Sequence, residues 1–233
     1  MSRPVCAILG VGPGNGLALA RRFAAGGYEI ALLSRNEDKL AHYAAQLGGA
    51  ATFVCDARDP GSVKSAFAAV AERLGPVKVL CHNAGAGSWA VPEETTVPDM
   101  EASFRTNALG LLVAAQAVFP GMIETGGGAI MVTGATASRR GGPKTTAFAA
   151  AKAAQRSLAQ SLARHWGPKG IHVALFIIDG VIDLPRTRKM LPDKPDTFFL
   201  KPDDIADTVF HVAQQPKSAW TFELDLRPFV EKW

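Results

Sequence analysis

Cysteine is scarce. The 233-residue chain has three, Cys6, Cys55 and Cys81, all in or beside apolar runs and none at metal-ligand spacing. An odd count without a C-x-x-C pair predicts reduced, buried thiols and a cytoplasmic protein. No apolar run reaches the ~18 residues of a membrane span, and no secretory pattern precedes the strand-like run at Val5. Charge is also weakly biased: Lys and Arg number 25 against 21 Asp and Glu, for a net charge of +4 and a pI near 9.1. The basic residues are scattered and not interleaved with aromatics. Neither nucleic acid nor a membrane is expected as a partner, whereas a phosphate-bearing small molecule fits. Tyrosine is rarest of all, with two, Tyr28 and Tyr43.

Apolar residues, in contrast, are plentiful at 48% of the chain. That suits a single globular domain over residues 1–233, since α/β folds often run this long undivided. Apolar runs and helical spacing alternate. Strand-like segments fall at Val5 to Leu9, Tyr28 to Leu33, Ala51 to Val54, Val77 to Cys81, Ala129 to Val132, Ile171 to Ile178 and Trp220 to Leu226. Helical segments fall at Asn15 to Ala25, Glu37 to Leu47, Ser62 to Leu74, Pro98 to Met122, Thr146 to Trp166 and Asp203 to Gln214. Near-continuous apolar strands imply a sheet covered on both faces. The prediction is a Rossmann-like, doubly wound parallel sheet of seven strands flanked by helices, a three-layer α/β/α fold. The irregular stretch 184–201 is long for a connection and reads as a substrate lid.

The first strand runs into Gly10-Val11-Gly12-Pro13-Gly14-Asn15-Gly16, and a helix follows. Glycines there allow a tight turn and close backbone approach to a pyrophosphate, and the helix start offers N–H groups and a partial positive charge. Strand before and helix after strengthen a motif that is weak by itself. The second strand ends Leu33-Ser34-Arg35-Asn36. A carboxylate there, common in enzymes that choose NAD, would hold the ribose hydroxyls. Its absence, with Arg35 able to pair with a 2′-phosphate, favours NADP(H) over NAD(H).

Loop spacing, Cys55-Asp56, Asn83-Ala84-Gly85, Asn107 and the Phe148/Lys152 pair together resemble the short-chain dehydrogenase/reductase family over essentially the whole chain. The resemblance implies an oxidoreductase that binds its cofactor through Gly10, Gly12, Gly14, Asn15, Gly16, Ser34 and Arg35. It places Asp56 at the adenine amino group and Asn83, Ala84 and Gly85 on the adenosine-ribose side. It places Lys152 on the nicotinamide ribose, Gly180 and the Ile182 backbone at the nicotinamide, and Asn107 in a proton relay through water and the lysine. His82, where the family often has asparagine, reads as a satisfied packing residue pointing away from the nicotinamide end. The resemblance also implies a homodimer or homotetramer built in part on the alanine-rich helix of Ala149 to Ala154, with a second contact from a tail ending at Trp233.

Two departures bear on chemistry. A family tyrosine donates a proton to the substrate carbonyl, and a serine steadies its oxygen. Those positions fall on Phe148 and Ala135, leaving Lys152 and Asn107 as the catalytic residues retained. A positioned general acid is worth about 10²–10⁴ in rate. Several outcomes stay open: a small apolar carbonyl, imine or activated C=C substrate that needs no phenol; another donor among Ser138, Thr136, Asp183 or Lys152 acting through water; or a catalytically silent dinucleotide sensor or scaffold. Asp183 reads first as a cap or salt-bridge residue.

Overall fold

The computed structural model describes residues 3–231; the last two residues of the expected tail, 232 and 233, lie outside them. The strands are β1 (Val5–Leu9), β2 (Glu29–Ser34), β3 (Ala51–Val54), β4 (Val77–His82), β5 (Gly128–Thr133), β6 (Ile171–Ile178), β7 (Val181–Ile182), β8 (Phe199–Leu200) and β9 (Glu223–Leu226). The helices are α1 (Asn15–Ala25), α2 (Glu37–Ala45), α3 (Pro60–Leu74), α4 (Val97–Phe104), α5 (Gly110–Glu124), α6 (Thr146–Trp166), α7 (Pro185–Met190) and α8 (Pro202–Ala213).

Seven strands form one sheet in the order β3-β2-β1-β4-β5-β6-β9, and every adjacent pair is parallel. This is the predicted architecture. The alternation of side chains across a strand covered on both faces explains why β1 and β6 are buried at every position. Val5, Ala7 and Leu9 enter a core with residues of α3, α5 and α6. Cys6 and Ile8 enter a second core with residues of α1, α2 and α8. All three cysteines are free and buried.

Strand order reverses between β1 and β4. In such a sheet the crevice beyond the carboxyl ends of these two strands is the natural ligand site. Gly10 follows one strand and Asn83 the other.

Three expectations change. The helix expected over Pro98 to Met122 is interrupted by a π-turn at Arg105–Leu109. Within it the Asn107 side-chain Nδ2 donates to the Ser103 carbonyl at 2.8 Å, and such bulges gather at functional sites. Glycine at 110 then lets the helix pass the Ala57 carbonyl, which a Cβ would approach to 2.5 Å. The stretch Val97–Glu124 is long and apolar enough to cross a membrane, yet Leu111, Ala114, Ala115 and Met122 are buried in the first core.

Next, the last strand starts at Glu223 rather than Trp220. The Trp220 indole donates to the Gln215 carbonyl at 3.1 Å and its ring stacks on His172 at 4.8 Å, so it anchors a turn instead of joining the ladder. Finally, residues 184–201 are ordered. They hold α7 and β8, and β8 pairs with β7. Arg188 ties Asp183 (2.7 Å) to Asp196 (2.6 Å), so Asp183 takes the expected salt-bridge role and its carboxyl is held below the usual range by that guanidinium.

Candidate active site

The glycine turn is shaped by the strand ends beneath it. Gly10 has φ +92°, and any side chain there would overlap the Ala84 backbone. Asn83 Nδ2 donates to the Gly10 carbonyl at 2.9 Å, and Thr133 Oγ1 donates to Asn83 Oδ1 at 3.1 Å. One asparagine thus joins the ends of β1, β4 and β5. A Cβ on Gly16 would lie 2.7 Å from Val11 Cα, so only glycine lets α1 start this close to the turn. The first turn of α1 carries no side-chain cap. Nothing lies within 4 Å of a Cβ placed on Gly12. Asn15 Oδ1 is buried without a partner among the described residues. An uncapped helix start and open space over the loop suit a bound anionic group, whereas the Asn15 oxygen, an acceptor, calls for a hydroxyl or water.

Beyond the turn lies a cleft of about 250 Å³ lined in part by Gly10, Ser34, Arg35, Asp56, Asn83 and Gly85. The fold therefore gathers residues separated by up to seventy-five positions at one end of the crevice. Arg58, which also lines the cleft, was not foreseen. Its guanidinium grips both Asp56 oxygens, with Nε at 3.0 Å and Nη2 at 2.7 Å. These bonds are the main cause of the lowered Asp56 pKa, and the Arg35 charge adds to it.

Toward the other end, Lys152 is buried at 4% exposure. Its Nζ donates to the Thr133 carbonyl at 2.8 Å and to Gln155 Oε1 at 3.0 Å. Burial pulls its pKa from 10.5 to about 7, because neither acceptor carries a charge. Asn107 Nδ2 donates to the Ala86 carbonyl at 2.6 Å, while its Oδ1 is buried without a partner among the described residues. A Cβ on Gly85 would lie 3.5 Å from that oxygen and 3.7 Å from Lys152 Nζ. Lys152 and Asn107, distant in sequence, thus face Gly85 together.

The Phe148 ring centroid lies 5.9 Å from Lys152 Nζ and 5.4 Å from the exposed Trp89 ring. Gly87 gives Phe148 its room, since a Cβ there would meet the ring at 2.6 Å. Behind this wall the Ala135 N–H donates to Ser138 Oγ at 3.1 Å, which turns that buried hydroxyl toward backbone. Thr136 Oγ1 donates to Asp179 Oδ1 at 2.5 Å. Gly180 packs where a Cβ would meet Pro228 Cδ at 2.8 Å, and the Ile182 carbonyl accepts from Thr187 Oγ1 at 2.6 Å. Leu184 reaches the glycine turn: a Cβ on Gly14 would meet its Cδ2 at 2.6 Å.

His82 corrects an expectation. It is fully buried, with its pKa drawn from 6.5 down to about 3 by burial first and the Lys152 charge second. Nδ1 lies 3.4 Å from Gln155 Nε2, but Nε2 has no partner among the described residues. The ring is only half satisfied, and one side chain separates it from Lys152.

A wider recess of about 540 Å³ lies between β8, α8 and β9, lined by residues such as Phe199, Ile205 and Pro228. It contains none of the residues expected to bind cofactor, and part of its wall, Phe199 and Leu200 included, comes from the 184–201 stretch.

Known proteins share the family and the fold. The short chain dehydrogenase family profile matches residues 4–194. The chain belongs to the short-chain dehydrogenase family. Among curated relatives, the D-threitol dehydrogenase of Mycolicibacterium smegmatis is 31% identical over 90% of this chain and 85% of its own. A short-chain dehydrogenase from Rhodopseudomonas palustris superimposes with a TM-score of 0.82 at 34% identity, covering 97% of this chain and 99% of that one. An alcohol dehydrogenase from the archaeon Thermococcus sibiricus, solved with 5-hydroxy-NADP, superimposes with a TM-score of 0.85 at 29% identity, covering 98% of each chain. As a short-chain dehydrogenase, the chain shares its seven-stranded parallel sheet and flanking helices with these solved structures.

Proposed function

We propose that this short-chain dehydrogenase is an NADP(H)-dependent oxidoreductase. It acts on a small, apolar carbonyl, imine or activated C=C substrate without a phenolic proton donor. The cofactor class draws support from a relative solved with 5-hydroxy-NADP and from Arg35, exposed at the cleft rim beside Ser34 with no carboxylate at the end of β2. Gly10, Gly12, Gly14, Asn15 and Gly16 would hold the pyrophosphate. Arg35, with Ser34, would hold the 2′-phosphate. Asp56, Asn83, Ala84 and Gly85 would flank the adenosine. Gly180 and the Ile182 backbone would meet the nicotinamide, and Lys152 its ribose. The bound nicotinamide would supply or accept hydride; the protein supplies everything else.

The observation that carries the reading is the set of groups around Gly85: the Lys152 ammonium and the unpartnered Asn107 oxygen both face it. Buried polar groups left unpaired cost free energy, and a ribose hydroxyl there would satisfy both. Phe148 occupies the family's tyrosine position and Ala135 its serine position, so neither side chain moves a proton. The ring faces of Phe148 and Trp89 favour an apolar acceptor by excluding water. Substrates whose reduction needs no strong acid fit this wall best. The 184–201 segment would act as the lid, with Leu184 meeting Gly14.

Phe148 also favours a second reading, a dinucleotide-binding sensor or scaffold without turnover. A turnover screen with NADPH and activated acceptors separates the two. Oxidation of NADPH on any imine or enone supports the enzyme; none, with tight NADPH binding retained, supports the sensor. A homodimer or homotetramer is part of the proposal. On α4, Val97, Met100 and Phe104 are exposed at helical spacing, next to α6, whose Ala150 and Ala153 are also exposed. A monomeric mass by light scattering would end that part, and a cytoplasmic location is kept as an expectation from the reduced cysteines.

A further inference from the structure

Gln155 lies three residues after Lys152 on the stripe of α6 that enters the protein, with Ala159, Leu162 and Trp166. It is completely buried. A primary amide in such a place is costly unless its donors and acceptor are used. Here they are. Oε1 accepts from Lys152 Nζ at 3.0 Å. Nε2 donates to the Asn107 carbonyl at 3.0 Å and faces His82 Nδ1 at 3.4 Å. His82 stays neutral, so Nδ1 accepts while Nε2 keeps the proton. Reversing the amide would set its NH₂ against the lysine ammonium and its oxygen against the Asn107 carbonyl. Only one orientation satisfies the neighbours.

We propose that Gln155 is a positioning residue: its amide, oriented by the Asn107 carbonyl and His82 Nδ1, holds the Lys152 ammonium against the Thr133 carbonyl, leaving the third N–H for the ligand beside Gly85. The ligand side rests on the reading above that Lys152 takes the nicotinamide ribose. Lys152 has no carboxylate partner among the described residues, so two neutral oxygens fix an otherwise mobile four-carbon side chain. An amide does not pass a proton along as a water does. The β4 side of Lys152 therefore steadies the charge without supplying protons. This suits a site whose substrate requires none from the lysine.

The test uses Gln155→Leu in the full chain, with two readouts. Without nucleotide, Lys152 labelling by an imidoester, followed by peptide mass spectrometry, should rise several-fold once the clamp is gone. In calorimetry, NADPH should bind roughly tenfold more weakly, as expected for losing a hydrogen bond to a charged group. Adenosine 2′,5′-bisphosphate, which lacks the nicotinamide ribose, should bind as before. In a Lys152→Met background the same substitution should add nothing, because Gln155 acts through the lysine. Unchanged labelling overturns the proposal. So does equal weakening of both ligands, the signature of general unfolding, or full additivity with Lys152→Met. If wild type fails to bind NADPH but labelling rises in Gln155→Leu, the clamp stands and the cofactor reading falls.

Discussion

Phe148 and Lys152 share one face of α6, with the lysine nitrogen 5.9 Å from the phenyl centroid. A phenyl ring can neither give nor take a proton. Adding a hydroxyl to it is the sharpest probe of the proposed chemistry. In Phe148→Tyr, ketone reduction with NADPH should rise by about 10²–10⁴ over wild type. Lys152, with its pKa drawn to about 7, would favour ionisation of the new phenol when protonated. Steady-state kinetics on a panel of small ketones makes the comparison; no gain, despite intact NADPH binding, would show that the site is not assembled for carbonyl reduction.

Arg35 and Arg58 both line the cleft beside Asp56 but stand differently toward it. Arg58 is committed to Asp56 at 2.7 Å, whereas Arg35 acts on that carboxylate only through its charge. Arg35→Asp should weaken NADPH by about tenfold or more, as loss of a charge-assisted contact implies, and strengthen NADH. Competitive calorimetry reads both. Equal loss for the two nucleotides would place the 2′-phosphate elsewhere.

Acid and base should act on the buried pair in one direction. Lys152 is lowered from 10.5 to about 7. Between these values the unfolded chain binds the extra proton, so stability rises with pH there. The melting temperature of Lys152→Met minus that of wild type should therefore shrink as pH rises from about 7 toward 10.5. His82, lowered from 6.5 to about 3, follows the same sign one window lower: its neutral state contributes stability above pH 6.5 that is lost as pH falls toward 3. His82→Asn should flatten the acid side of the stability curve. Parallel wild-type and variant curves in either window would contradict the assigned ionisation.

Gly10 offers a stability test free of the ligand. With φ at +92° and the Ala84 backbone against its missing side chain, Gly10→Ala should destabilise by more than about 1 kcal/mol. That corresponds to roughly 2–4 °C in melting temperature for a chain of this size. An unchanged melt would mean the turn relaxes without cost.

The sheet was readable because both faces are covered: apolar runs such as 171–178 have no other economical arrangement. The glycine turn was readable because strand, glycines and helix occur in order. The break in the long helix was not, since Arg105 to Leu109 keeps helical spacing and the Asn107 bond to the Ser103 carbonyl leaves no mark on it. Trp220 looked like strand because alternation cannot reveal a ring stacked on His172. Arg58 gave no signal, as one arginine in a loop after Asp56 reads as solvated charge. Gln155 did leave a trace. The spacing 152, 155, 159, 162, 166 marks an inward stripe, and an amide on it calls for partners. That its partners are Lys152, Asn107 and His82 depends on β4 and the π-turn meeting behind α6, a tertiary fact outside any local pattern.

Thermal unfolding with NADPH tests the central claim most directly. A ligand at about 100 times its Kd stabilises the folded chain by about 2.7 kcal/mol, or roughly 5–10 °C in melting temperature for a domain of this length. The crevice described here predicts such a rise with NADPH and a smaller one with NADH at equal concentration. A melting curve that saturating NADPH leaves where it was would contradict it.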